Sequence, residues 1–398
     1  MTLAERLSAY DEKYWDFSEY RNDSPLVRYP AVMVAPMQAC ILKEIINADP
    51  ATSIVLDPFC GSGTVLCEGQ KLGLNVMGFD INPLAVLIAA VQLEGVPADC
   101  AVRSINAINT RLTMLNGNVK PYAFKNIKKW FNDDIIISLS VIRQAIIEET
   151  NDRMRRFFWC CFAETVKKFS NTRTSTFKLH VKEQSQIDST IDDTITFFKE
   201  HIQNNYVRYI KDNSGLICLK CGDSKELLGA LDANSVDLIC TSPPYGDNHT
   251  TVTYGQFSIL PLLWIDKKDL HIWDETLLET FTAIDSASLG GRVKRKLAGE
   301  HSYDEFVGSI SLETKVQFNE KSLESSIVSA LNYFGDQSKT NKQLQNKTIR
   351  TWRDAVTQRK LIDTLNQYIH NEQPVDALLL QETWNTMKGY IITCLAMR

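Results

Sequence analysis

The stretch TSIVLDPFCGSGT, from Thr52 to Thr64, decides the fold of this chain. Thr52 to Leu56 reads as an apolar strand, and a glycine-rich turn follows it. Gly61 and Gly63 in that turn let backbone approach a ligand closely. A helix from about Thr64 to Lys71 opens there, so its free N-terminal amides face the same space. Gly73 ends the helix, and Asn75 to Phe79 makes a second strand closing on Asp80. Pro83 sits in the first turn of the next helix, Leu84 to Leu93, where proline is tolerated. This βαβα alternation predicts a parallel sheet with helices on its faces.

Outward from this unit the pattern stops. Residues 103–203 are mostly helical in period and hold a single Gly and a single Pro. It resumes at Gly215 with GLICLKCGDS, a strand ending near Asp223, then a short helix from Lys225 to Leu231. The apolar run Val236 to Cys240 leads into TSPPYG, Thr241 to Gly246, where two prolines end any ladder. Four strands of one sheet are thus split by a helical insertion of roughly 115 residues, the size of a small domain. The expected organisation is a discontinuous α/β domain, 1–97 and 214–270. The helical insertion is 98–213 and a helical C-terminal region is 271–398, where Gly389 to Ala396 reads as one further buried strand.

The bulk composition is that of an ordinary globular protein, with a net charge of −5 and no global basic footprint. The longest apolar stretch, Leu84 to Val91, is too short to span a membrane, and no signal peptide is legible; a cytoplasmic protein with reduced thiols is expected. Cys218 and Cys221 form a lone CxxC with no second pair, so no metal is expected. Charge is unevenly spread: from Arg111 to His180 there are 13 Lys plus Arg against 6 Asp plus Glu. A basic segment on an acidic chain points to a local polyanion contact, although a solvated helical face reads the same way.

The turn lacks the GxGxxG of dinucleotide binding, so no pyrophosphate is expected. Its shorter FxGxG form suits the amino-acid end of S-adenosylmethionine, whose carboxylate can use the helix amides. Asp57, Asp80 and Asp223 close three successive strands. Asp80 is placed to accept from ribose hydroxyls and Asp223 from an adenine amino group. Each acid alone reads equally well as a cap or turn residue, but three at successive strand ends beside such a turn point to this cofactor.

These motifs resemble those of the bacterial restriction-modification DNA amino-methyltransferases, which act on cytosine N4 or adenine N6. DPFCGSGT resembles the first motif of that family, GFDINP the second, CGDS the third and TSPPY the catalytic one. Ser24 to Ile41, with Tyr29, resembles the N-terminal motif flanking the methionine side of the pocket. The resemblance covers about residues 14–97 and 215–265. It implies a Rossmann-like S-adenosylmethionine-dependent sheet and a cofactor set of Tyr29, Asp57, Pro58, Phe59, Cys60, Gly61, Gly63, Thr64, Asp80, Ile81, Asp223 and Ser224. It also implies a catalytic set of Ser242, Pro243, Pro244 and Tyr245. Ser242 and the Pro243 carbonyl would accept from the base amine, Tyr245 would stack on a base flipped out of double-stranded DNA, and Asp247 is near enough to contribute. Serine at the head of the motif leans toward cytosine.

For nucleic-acid contact the insertion offers Lys125, Lys128, Lys129, Trp130, Arg153, Arg155 and Arg156, then Ser170, Asn171 and Arg173. Phe157, Phe158 and Trp159, at helical spacing, read better as core. Arg292, Lys294, Arg295 and Lys296 form a further basic run. Sheets of this family have seven strands, so a second polypeptide completing the sheet is one expectation and a divergent form another; a cognate restriction endonuclease is a further candidate partner. Competing readings are a guanine-N2 RNA methyltransferase, which usually has Asp where Ser242 stands, and a non-catalytic DNA-binding subunit.

Overall fold

A computed structural model describes residues 2–288 except 21–24, 31, 116–117, 174–177, 212–214 and 244–252. The chain divides into units 1–293 and 294–398, and the second lies outside the described residues, as does the expected strand Gly389 to Ala396. The first unit opens with a short helix α1 (Leu3–Ser8) and the longer α2 (Ala35–Ala48). Then come β1 (Ile54–Asp57), α3 (Thr64–Lys71), β2 (Asn75–Asp80) and α4 (Pro83–Glu94), within a residue or two of the boundaries the sequence implies. The insertion contributes α5 (Ala101–Leu115), α6 (Ile127–Trp130), α7 (Asp133–Ile147), α8 (Asp152–Phe169), α9 (Gln184–Asp188) and α10 (Thr194–Asn205). The sheet resumes with β3 (Ile217–Cys221), α11 (Ser224–Gly229) and β4 (Leu238–Ile239), followed by α12 (Tyr254–Trp264) and α13 (Ala283–Ser288).

All four strands are parallel, in the order β3-β2-β1-β4. Right-handed crossovers from β1 to β2 and from β2 to β3 place α3 and α4 on one face. Val55, Val76 and Leu219 point to that face, where Leu66 of α3 and Leu42 of α2 close a core with them. The opposite face is unevenly covered: Leu56 and Phe79 are fully buried, whereas Ile239 is 58% exposed.

Helix α4, PLAVLIAAVQLE, is apolar on every side because it is packed on every side. The sheet lies under it, and α8 and α12 lie over it. One continuous core runs from Leu84 and Leu87 of α4 through Phe158, Trp159 and Phe162 of α8 to Leu260 and Trp264 of α12. The aromatic run in α8 is therefore core, as its helical spacing implies. Each such ring contributes roughly 1.5–3 kcal/mol by leaving water.

The insertion leaves and rejoins the sheet domain at one point. Val96 and Ile210 form a parallel bridge, with Val96 donating to the Tyr209 carbonyl at 2.7 Å. Gly95, at φ +62°, makes the approach possible, since a Cβ there would lie 2.4 Å from that same carbonyl oxygen. Arg153 then binds the carbonyls of Glu94, Gly95 and Lys211, tying both junctions to α8. Arg153→Ala should thus cost about 2–3 kcal/mol, since three buried carbonyls lose a charged donor. The check is a lower urea midpoint with an unchanged slope.

Candidate active site

The sheet reverses its order at the β1/β4 pair: the chain steps from β1 through β2 to β3, then returns to the far side of β1. In open parallel sheets ligands bind beyond the C-terminal ends of the strands at such a switch point. Here that position is occupied by the glycine-rich turn after β1 and by Thr241, Ser242 and Pro243 after β4.

The turn is held from three sides. Asp57 Oδ1 accepts from the Phe59 amide at 3.0 Å, and Cys60 N donates to the Phe79 carbonyl at 2.9 Å. Asp80 Oδ2 accepts from Gly61 N and its Oδ1 from Asn82 N, both at 2.8 Å. The Ser224 hydroxyl donates to the Pro58 carbonyl, so the start of α11 is tied to the same turn. Gly63 sits at φ +89° against α4, where a Cβ would press on Ala89 at 3.1 Å. It begins α3 with no side-chain cap, leaving the first amides of the helix for a ligand. Thr64 is the first helical residue, Pro58 is buried, Cys60 is buried beneath the turn, and the Phe59 ring is 36% exposed.

Asp57 is fully buried. Its Oδ1 takes a second hydrogen bond, from Thr241 Oγ1 at 2.7 Å, while its Oδ2 has no partner among the described residues. Burial pushes its carboxyl up to about 6, against the opposing pull of the Thr241 hydroxyl and the Phe59 amide. Burial likewise pushes Asp80 up to about 6. Asp223 caps α11, accepting from Lys225 N at 2.8 Å. Ile81 is half-buried, and its carbonyl accepts from Trp273 Nε1 at 3.3 Å.

Tyr29 stands next to the turn, with its ring 3.7 Å from where a Cβ on Gly61 would lie. It stacks on Tyr254 at 5.8 Å and meets Phe257 edge-on at 5.7 Å. Both partners belong to α12, the helix that follows the TSPPYG segment. Tyr254, Ser258 and Trp273 are absent from the sequence reading, and Thr241 and Asn82 enter it only inside the motifs TSPPYG and GFDINP. Asn82 carries a legible signal, a capping Asn before Pro83, but its longer reach does not. Ser242 and Pro243 are exposed; Pro244, Tyr245 and Asp247 lie outside the described residues, as do Arg292, Lys294, Arg295 and Lys296.

The residues singled out for nucleic acid separate into two groups. The Arg155 guanidinium binds Asp269 at 2.8 Å, Asp152 at 3.0 Å and the Glu149 carbonyl, and Arg156 pairs with Glu94. Ser170 and Asn171 are buried; Ser170 bonds Lys167 O and Thr172, and Asn171 bonds Asn132. These are ties within the fold. Lys125, Lys128 and Lys129 are exposed beside Trp130, and Lys128 pairs with Asp133. Arg173 is half-exposed with Glu183 as partner, and lies in a segment where Thr172 bridges Val181. That segment reaches the start of α12, where Leu179 N donates to Gln256 Oε1 at 3.1 Å. Lys167 lies 3.4 Å over the Phe257 ring at the same corner, and burial lowers its ammonium to about 8.

Residues 8–91 match the family described as DNA methylase. Over 287 residues the chain is 32% identical to Type II methyltransferase M.MvaI of Kocuria varians, covering 68% of this chain and 62% of that protein. Over 66 residues it is 49% identical to Type II methyltransferase M.MjaII of Methanocaldococcus jannaschii, covering 17% of this chain and 12% of that one. The chain therefore spans about three fifths of the first relative and about an eighth of the second. No solved structure gives a significant match. With its parallel sheet and its motifs, the chain is similar to the restriction-modification amino-methyltransferases over the stretches these matches cover.

The raised carboxyl of Asp57 has a consequence for stability. A carboxyl that holds its proton more tightly when folded favours folding most below the unfolded value, about 3.9, and loses that contribution as pH rises to about 6. Asp57→Asn keeps the acceptor for Thr241 and Phe59 and removes the titration. Its stability relative to the native chain should rise between about pH 4 and pH 6 and level off above. Urea midpoints at several pH values check this; a difference independent of pH would show Asp57 ionised throughout.

Proposed function

We propose that this chain transfers a methyl group from S-adenosylmethionine to the exocyclic amine of a base in DNA, with cytosine N4 as the target, as in restriction-modification or phage defence. The observation that carries the reading is the 2.7 Å hydrogen bond between Thr241 and Asp57. It links the strand end bearing Ser242 and Pro243 to the glycine-rich turn, bringing the two halves of the chemistry to one crevice.

The residues present fit the cofactor. Asp57 Oδ2 is a buried acceptor with no partner among the described residues, suited to an ammonium, and the uncapped start of α3 suits a carboxylate. Asp80 and Asp223 retain lone pairs for ribose hydroxyls and an adenine amine, Phe59 and Ile81 offer apolar walls, and Tyr29 flanks the methionine side. When bound, S-adenosylmethionine supplies a methyl group on an electron-poor sulfonium. The Ser242 hydroxyl and Pro243 carbonyl accept from the base amine, which favours a tetrahedral nitrogen and frees a lone pair otherwise delocalised into the ring. Pro244 and Tyr245 complete the motif, Tyr245 as the stacking surface for the flipped base.

Target recognition falls to the insertion, 98–213, within a catalytic domain of 1–97 and 214–270. Its exposed Lys125, Lys128 and Lys129 suit phosphate, and Arg173 rides on the segment that touches α12 beside the catalytic strand end. Double-stranded DNA in the cytoplasm is the substrate of this reading, and no helix among the described residues is long and apolar enough to cross a membrane. A cognate endonuclease, or a second polypeptide completing the sheet, is the candidate protein partner. In support of the latter, β4 pairs only with β1 among the described residues.

The test is methyl transfer from labelled S-adenosylmethionine to unmethylated DNA, with modified bases mapped by sequencing and RNA run in parallel. The native chain should label cytosine at a defined site. Ser242→Ala should lower kcat by about 100-fold while cofactor binding persists. Undiminished transfer by this variant removes the catalytic assignment, label on adenine or RNA moves the substrate, and no transfer with intact cofactor binding points to a silent or incomplete subunit.

A further inference from the structure

We propose that Asn82 is a positioning residue that sets the far end of the catalytic segment against the cofactor turn; this rests on the methyltransferase reading above. Asn82 is 1% exposed and uses every polar atom it has. Its Oδ1 accepts from the Leu84 amide at 3.1 Å, capping α4. A backbone N–H can only donate, so that bond fixes which side of the amide faces α4 and leaves both Nδ2 hydrogens on the other. One goes to the Tyr29 hydroxyl at 3.0 Å and the other to the Ser258 hydroxyl at 2.8 Å.

These two partners make the residue more than a cap. Ser258 is fully buried in the second turn of α12, the helix into which residues 242–253 lead. Tyr29 stacks on Tyr254, the first residue of that helix. Asn82 itself follows Asp80 by two residues, and Asp80 holds Gly61 of the turn. The catalytic segment therefore has a described residue tied to the cofactor side at each end. Thr241 is bound to Asp57 before it, and Ser258 to Asn82 after it. A fully satisfied amide in a buried site has one low-energy arrangement, so it transmits position from turn to helix. Loss of it moves the end of the segment, and displacements of an ångström at reacting groups are costly to rate.

Asn82→Ser and Ser258→Ala separate this role from capping. Serine caps a helix well but is too short to reach Tyr29 and Ser258, and Ser258→Ala leaves the cap untouched. Both variants should still fold, with melting temperatures lowered by a few degrees by the buried group left unpaired. In both, kcat should fall by about 10- to 100-fold, while KM for DNA and the dissociation constant for S-adenosylmethionine move by less than about threefold. Amide hydrogen exchange should quicken across 254–262 and stay unchanged in β1 and β2. A native kcat or native exchange in a folded variant overturns the proposal, as does a loss of cofactor affinity equal to the loss of kcat. If the native chain neither binds the cofactor nor methylates, the functional reading fails on its own. The exchange data then still decide the tie, upheld by faster exchange confined to 254–262 and overturned by none.

Discussion

The burial of one carboxylate organises this molecule. Asp57 ends β1, which is paired on both edges, and its side chain, on one face of the sheet, is fully buried. A buried carboxylate is tolerated only where donors surround it. The Phe59 amide curls the glycine-rich turn back over it, and the Thr241 hydroxyl draws in the strand on the other side. Satisfying one acid thus shapes the turn and fastens the end of β4 to it. The other oxygen has no partner among the described residues.

Much of this was legible in the sequence because it depends on local rules. Periodicity, glycine placement and the Pro83 signal gave the elements from β1 to α4 within a residue or two. The parallel sheet followed from the strand-helix alternation, while the order β3-β2-β1-β4 came only with the structure. What the sequence hid depends on distance in space. Asp223 was read from its place at a strand end and Ser224 from the resemblance, but neither reading showed that Asp223 also caps α11 or that Ser224 is bound to the Pro58 carbonyl. Arg155 looked like a phosphate contact, but its partner Asp269 stands 114 residues away. Basic residues on a helix show their charge in a sequence and conceal which way they face. The strand before TSPPYG shrank to Leu238–Ile239, because Asp237 turns aside to bind Ser53 and the Ile54 amide at the start of β1.

The helical insertion resolves a packing problem as well as adding surface. Helices on a parallel sheet usually present one polar face to water, but α4 has none to present. Its outer side is covered by α8 and α12, so the sheet domain and the insertion share a hydrophobic interior. The basic residues of the insertion divide accordingly. Those near α4, Arg153 and Arg156, fasten the two parts together, while those on and around α6 remain at the surface.

The meeting of Val96 with Ile210 carries an evolutionary consequence. A block whose two ends lie side by side is a cassette: the host sheet registers only a short gap, whatever length of chain lies between. Such a block can be exchanged among relatives without disturbing strand register. The shared interior restricts the exchange, because any incoming cassette must bring an apolar surface shaped to α4. Diversification of the insertion should therefore run freely along its outward surface and stay conservative on α8, where Phe158 and Trp159 share a core with α4.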